Sequence, residues 1–234
     1  MKEKLEETLK SEQNFLKTLV KWTVLSALVG SVVGVIASGF AHVISLVTEF
    51  RIGHPFMILG LPLGGMLVVY LYKLGGQEKN SGTNMVLDTV RTPKGEMPSV
   101  IAPLILIATT VTHMFGGSSG REGAALQFGA SVGSFFGRTL KLNESDRKII
   151  ILSGMSAAFA ALFGTPMAAA IFPMEVTSVG VMYYGALVPC VFSAFIGEYV
   201  SVLLKVRTLK IPYLIEEVPS FYSVNCLKII LLAV

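Results

Sequence analysis

A glutamate and an arginine stand side by side in Gly116-Gly117-Ser118-Ser119-Gly120-Arg121-Glu122-Gly123, between the apolar stretches 98–115 and 124–136. Four glycines in eight residues permit positive φ and close backbone approach, and they stop a helix. Three chemistries fit this octapeptide. A carboxylate and a guanidinium held at membrane depth are costly, so they belong in a bundle interior or along an aqueous path. The run Gly116 to Gly120 also fits G-x-S-x-G, the strand-to-helix turn that exposes a serine nucleophile. The plainest alternative is a short interfacial loop with two solvated charges.

The serine chemistry fails on its partners. A serine nucleophile needs a base within reach, yet the histidines are His42, His54 and His113, and none follows the serine. The elbow also belongs after a strand, whereas a helix-length apolar stretch precedes it here. Lysine as base has no supporting motif, so hydrolase chemistry is set aside and no enzyme is expected. No GxxxxGK[ST] occurs, which excludes the ATPase subunit of a pump. The sequence shows no metal-ligand cluster and no cofactor motif, and none is expected.

What remains is a path for something small. A second polar stretch, Ser81-Gly82-Thr83-Asn84-Met85-Val86-Leu87-Asp88, carries hydroxyl and amide groups before a segment too short to cross a bilayer. We expect a half-helix starting near Asn84, with a plain loop as the alternative. Half-helix starts present unpaired N–H groups and a positive dipole end, which favour anions. A glutamate at such a start can act as a tethered anion. Ionised, it fills the site; protonated, it leaves and admits a free anion. Proton exchange in competition with an anion gives coupled antiport.

The elements that must hold these groups read as membrane spans. The chain is 53% hydrophobic and only 15% charged, against roughly 25% charged in soluble domains, and its mean hydropathy is +0.68. Apolar runs at 18–47, 56–74, 97–115, 148–173 and 179–204 approach or exceed the roughly 20 residues of a span. The fold class is therefore an all-α polytopic membrane protein. An outer-membrane barrel would show period-2 alternation instead. The formal net charge of +4 does not point to nucleic acid. Lys2, Lys4, Lys10, Lys17 and Lys21 cluster at the start, and Arg138, Lys141, Arg147 and Lys148 lie near an expected helix end. That pattern predicts a cytoplasmic N-terminus. Cys190 and Cys226 have no metal or redox spacing and read as structural. The charged lead of 17 residues and the length of the first apolar run argue against a cleavable signal peptide.

Details of the spans refine this picture. Residues 1–17 mix Glu and Lys at helical spacings and read as a cytoplasmic or interfacial helix, with a frayed tail as the alternative. Trp22 fits the interfacial aromatic belt. Gly30 and Gly34, and again Gly129, Gly133 and Gly137, give small-residue faces on which another backbone can pack. Gly60, Pro62, Gly64 and Gly65 predict a bent second span packed closely on a neighbour. His42 reads as a packed or capping imidazole, His54 as a loop residue and His113 as structural. Asn143 or Ser145 caps a helix start, and Gly164-Thr165-Pro166 breaks the fourth run before Glu175.

At this point a resemblance becomes specific. Gly120-Arg121-Glu122-Gly123, preceded by Gly-Gly-Ser-Ser and followed by Ala-Ala-Leu-Gln-Phe-Gly, resembles the GREGP signature of the CLC (voltage-gated chloride channel) family. The block from Gly154 through Gly164-Thr165-Pro166 to Glu175 is similar to that family's next Ala/Gly-rich helix, proline break and terminal acid. The resemblance implies a CLC-type bundle of tilted and broken helices, the first of two inverted repeats, with 18–234 as the transmembrane domain. It implies transport of chloride or fluoride, coupled to protons, in a bacterial-type plasma membrane and in a homodimer. By it Glu122 is the gating glutamate, and Gly120, Arg121 and Gly123 border the anion.

The departures from the family pattern matter. Ala124 stands where the signature has proline. In place of the family's GSGIP the chain has Ser81-Gly82-Thr83-Asn84-Met85. On one alignment Asn84 and Met85 border the anion, as in a fluoride-exporting branch where methionine replaces the chloride-binding serine; on another, Ser81 is that serine. Val176 occupies the place of the internal proton-relay glutamate, with Glu175 beside it as a possible secondary acidic site. The further anion-site residues of the second repeat lie beyond the matched half, so a truncated or split chain is expected. Two alternatives therefore stay open, an anion channel without proton coupling and a non-transporting half-protein.

Overall fold

The computed structural model describes residues 2–92, 95–176, 182–206 and 231, with only the backbone described for 2–11, 13 and 14. The described elements are helical: α1 (Lys2–Gly53), α2 (Leu61–Leu74), α3 (Thr83–Arg91), α4 (Ile101–Met114), α5 (Arg121–Thr139), α6 (Glu144–Phe163), α7 (Pro166–Val176) and α8 (Leu187–Leu203). Short 3₁₀ segments precede α2 (Pro55–Gly60) and α8 (Tyr184–Ala186). Among the described residues three helical stretches are long and apolar enough to cross a bilayer: Phe15–Gly53, Pro55–Leu74 and Tyr184–Leu203.

α6 is the axis of the bundle. It starts on a cap read from the sequence, Asn143, whose side chain accepts the Asp146 N–H at 2.8 Å. From Ile149 onward nearly every residue is buried, and many are Ala, Ser or Gly. Small residues matter because lipid tails give no hydrophobic push between helices, so association depends on close van der Waals contact and interhelical hydrogen bonds. A Cβ on Gly129 of α5 would lie 2.6 Å from the Gly154 carbonyl oxygen, and one on Gly133 equally close to the Ile150 carbonyl. Gly137 faces Arg147, so the contacts run in opposite order and α5 is antiparallel to α6.

On its other side α6 packs parallel to α8. Ser193 Oγ donates to the Ser153 carbonyl at 2.9 Å, and Ser201 Oγ to the Ala161 carbonyl at 2.7 Å. Between them Gly197 sits against Ala157. Gly30 and Gly34 of α1 lie on the same α8, against Ser193 and Ile196 and then Gly197 and Val200. The small-residue faces expected on α1 and α5 are thus both used, and α1, α6 and α8 run in one direction.

The helix ends depart from sequence expectation in places. The N-terminal helix does not stop near residue 17 but runs unbroken through Gly53. Trp22, expected in an interfacial belt, is buried in the core, with the Lys21 ammonium 5.4 Å from its ring centroid and ion-paired to Asp146. The second span begins as a 3₁₀ turn, and Gly60 and Gly64 meet the ring of Phe115 as the expected close packing requires. The third span is shorter than its apolar run, 14 residues from Ile101. The preceding segment is held instead by α5: Arg138 donates to the Met97 carbonyl at 2.9 Å and to Ser99 Oγ, and Ser131 Oγ donates to the Pro98 carbonyl. The break at Gly164 is a left-handed turn with φ 67. Cys190 is buried as a free thiol, whereas Cys226, the onset of the fifth run and everything from 207 to 230 lie outside the described residues.

The α5–α6 crossing yields a test. Gly129→Ala forces a Cβ into backbone and is expected to lower stability by about 1–3 kcal/mol. Gly39→Ala, where a Cβ meets nothing within 4 Å, is expected to be neutral or stabilising by up to about 1 kcal/mol. Thermal unfolding in detergent, followed by fluorescence of the single tryptophan, separates the two.

Candidate anion site

Two helix starts meet where the sequence places its chemistry. α5 begins at Arg121 behind Gly120 (φ −67, ψ 142), and α3 begins at Thr83 behind Gly82 (φ 66, ψ −130). The half-helix expected near Asn84 is therefore present. Both cap residues are glycine, and neither start receives a side-chain cap. The first N–H groups of a helix have no partner within it, so both starts keep donors and a positive dipole end for something else. They lie in contact: a Cβ on Gly123 would sit 3.5 Å from Thr83 Oγ1.

Glu122 is exposed in the first turn of α5, and its Oε2 lies 2.9 Å from where a Cβ on Gly120 would stand. The carboxylate is thus folded back over the start of its own helix. Across the junction Asn84 is exposed and Met85 is half-buried against the core. The Met85 carbonyl accepts Thr89 Oγ1 at 2.7 Å, which ties the short helix together. Ser81 is exposed just ahead of the cap, and Asn80 Oδ1 accepts the Gly82 N–H at 2.6 Å. The structure therefore brings Gly123 against Thr83 at the start of the helix that carries Asn84 and Met85, with Gly120 and Glu122 in the adjoining first turn of α5.

Two sequence candidates sit elsewhere. Arg121 helps line a separate cavity of about 400 Å³ with His42, Ser45 and Glu49 of α1 and Lys205 after α8; neither Glu122 nor α3 lines it. Glu175 is exposed near the end of α7, and among the described residues no hydrogen bond or ion pair joins it to Glu122. Sequence reasoning did not single out Thr83, although a hydroxyl residue directly after a glycine at a helix start was a usable signal. His113, expected to be structural, has its Nε2 3.0 Å from the Ser119 carbonyl oxygen. His42 and His54 cap carbonyls one turn back, at Ser38 and Phe50. No group of three or more His, Cys, Asp or Glu side chains converges on a metal position among the described residues.

The octapeptide itself is a helix stop followed by a helix start. Gly116 (φ 81) donates to the His113 carbonyl and Gly117 to the Thr112 carbonyl, the paired bonds of a Schellman end on α4. Glycine is required at 116 because an L side chain at that φ is strained.

Residues 64–234 match the family described as voltage gated chloride channel. The chain belongs to that family. It is 37% identical over 188 residues to a chloride/fluoride channel protein of Pseudomonas syringae pv. tomato, covering 80% of this chain and 42% of the relative. An uncharacterized protein of Methanocaldococcus jannaschii is 28% identical over 193 residues, covering 81% of this chain and 46% of that protein. The fold is similar to the crystal structure of a CLC-type fluoride/proton antiporter, with a TM-score of 0.79, 31% identity, and coverage of 92% of this chain and 53% of that one. A slow cyanobacterial Cl−/H+ antiporter shares the fold at a TM-score of 0.59 and 21% identity, over 76% of this chain and 46% of that one. The CLC chain described here thus spans about half the length of the relatives it matches. It is an integral membrane protein of the CLC bundle type.

The loop geometry predicts a contrast at its two ends. Gly116→Ala is expected to cost roughly 1–2 kcal/mol from the left-handed backbone. Gly120→Ala, whose Cβ meets only the end of the Glu122 side chain, is expected to change stability by less than about 1 kcal/mol. Chemical unfolding of the two variants measures the difference.

Proposed function

We propose that this chain forms one half of a CLC anion path that exchanges fluoride for protons, with Glu122 as the gate. The observation that carries the reading is the contact between two uncapped, glycine-led helix starts, with the Glu122 carboxylate folded over one of them. Ionised, Glu122 is itself the anion at the α5 start. Protonated, it loses its attraction to the dipole end and swings away, and a free anion takes the vacated N–H donors. When the anion leaves, the proton is released and the carboxylate returns. Anion and carboxylate therefore compete for one position, and the carboxylate yields it only by taking a proton, which couples the two fluxes.

Fluoride is favoured over chloride by Asn84 and Met85 at the α3 start. A small anion that accepts strong hydrogen bonds is served by N–H and amide donors, and a thioether closes the space a larger halide needs. Similarity to a chloride/fluoride channel protein of Pseudomonas and to a fluoride/proton antiporter supports the same choice. Gly120 and Gly123 let the anion approach the backbone, Ser81 stands at the approach to the α3 start, and Arg121 adds positive potential from its neighbouring cavity. Lys21, Arg138, Arg147 and Lys148 gather at the end where α1, α4 and α6 begin, so that end is assigned to the cytoplasm. Residues 18–234 form the membrane domain and 1–17 its cytoplasmic lead, in a bacterial-type plasma membrane and a homodimer.

The test uses proteoliposomes made with the natural polypeptide that carries this sequence, with anion efflux and proton uptake recorded together. Glu122→Gln is expected to abolish proton uptake and to lower fluoride flux by about tenfold or more. Unchanged coupled flux in that variant overturns the gate, and wild-type anion flux without proton uptake assigns a channel instead. Met85→Ser is expected to shift the fluoride-over-chloride flux ratio toward chloride by about tenfold. An unchanged ratio removes Met85 from the selectivity argument.

A further inference from the structure

The geometry points to His113 as a positioning residue for Glu122, acting through the peptide unit that joins Ser119 to Gly120. The inference rests on the reading of Glu122 as the gate. His113 stands in the last turn of α4, and its Nε2 lies 3.0 Å from the Ser119 carbonyl oxygen. A carbonyl only accepts, so the Nε2 of His113 carries the hydrogen and donates it.

The location of that bond gives it leverage. The backbone bonds of the α4 end stop at Gly117, and α5 begins at Arg121. Between them residues 118–120 have no regular structure. The Ser119 carbonyl belongs to the same planar unit as the Gly120 N–H. Pinning the oxygen therefore fixes the direction of the N–H at the residue that leads α5. Gly120 is also the residue over which the Glu122 carboxylate rests, with Oε2 2.9 Å from its Cβ position. Arg51, in the last turn of α1, lies against Gly116, with Cδ 3.4 Å from the corresponding Cβ position, so the loop's first residue is held as well. The brace sets where the carboxylate docks without touching the anion, and its loss affects the gate's return more than anion capture.

Paired variants test this. His113→Gln keeps a donor for the Ser119 carbonyl, whereas His113→Leu and His113→Phe remove it. By hydrogen exchange in detergent, the amides of residues 118–122 are expected to exchange about fivefold faster or more in the apolar variants, and near the wild-type rate in His113→Gln. The α6 amides should be unchanged throughout. In proteoliposomes the apolar variants are expected to lose about fivefold in maximal proton-coupled turnover while the half-saturating anion concentration moves less than about twofold, with His113→Gln restoring most of the turnover. Equal exchange in the Leu, Phe and Gln variants overturns the brace. So does wild-type turnover in His113→Leu. Loss of α6 protection in both apolar variants makes His113 a general fold requirement and also overturns it. Absence of anion flux from the wild-type protein counts against the proposed function alone, because the exchange measurement reads the brace without transport.

Discussion

The close approach of α5 to α6 is the contact on which the rest of the molecule depends. Gly154 sits against the Gly129 carbonyl, and Gly133 against Ile150, so the two backbones touch with no side chain between them. The crossing fixes the depth of α5, and with it the position of the helix start that carries Glu122. The serine bonds from α8 to the Ser153 and Ala161 carbonyls hold the opposite side of α6 at matching intervals. In hydrocarbon, where apolar side chains gain nothing by leaving lipid, such contacts must supply the cohesion. α2 shows the contrast: Gly64 is its one buried residue, and Leu63, Met66 and Val69 face outward.

Against this tight frame the two open helix starts stand out. Backbone donors inside a bilayer normally find partners within the protein. Most helix ends here comply: α6 has its Asn143 cap, and the ends of α2, α4, α5 and α8 close with paired bonds around Gly76, Gly116, Lys141 and Lys205. The starts of α2, α3, α4, α5 and α8 carry no side-chain cap, and of these α3 and α5 lie against each other, where Gly123 faces Thr83. Two open starts in contact, both led by glycine and one bearing a carboxylate, are the feature on which the proposed anion path rests.

Much of this was legible in the sequence, for reasons that can be named. Glycines four apart mark helix faces whatever the tertiary context, so the roles of Gly30, Gly34, Gly129 and Gly133 were readable. Gly164-Thr165-Pro166 announces a break, and the short segment after the polar run from Ser81 to Asn84 announces a half-helix. What was not legible depends on which partner lies across a contact. Hydropathy alone cannot tell which neighbours cover an aromatic ring, so the burial of Trp22 was not readable. Nor does sequence order show that Arg121 would line a cavity with α1 while its neighbour Glu122 folded back over Gly120. The extent of α4 was obscured because Met97, Pro98 and Val100 are apolar yet lie outside the helix, in a segment held by Arg138 and Ser131 from another one.

The opposed approach of the two helix starts has an electrical consequence. α3 is reached through the loop after α2, at the end where α4 begins, whereas α5 is reached from the opposite end, past the last turns of α1 and α4. If water on the proposed path follows each approach and stops at the Gly123–Thr83 junction, the membrane potential falls mainly across that junction rather than over the whole bilayer. Moving one elementary charge through the full potential is worth about 2.3 kcal/mol per 100 mV. A carboxylate that swings only a few ångströms there would cross much of the field, so a small motion of one side chain can be coupled to a large share of the available electrical work.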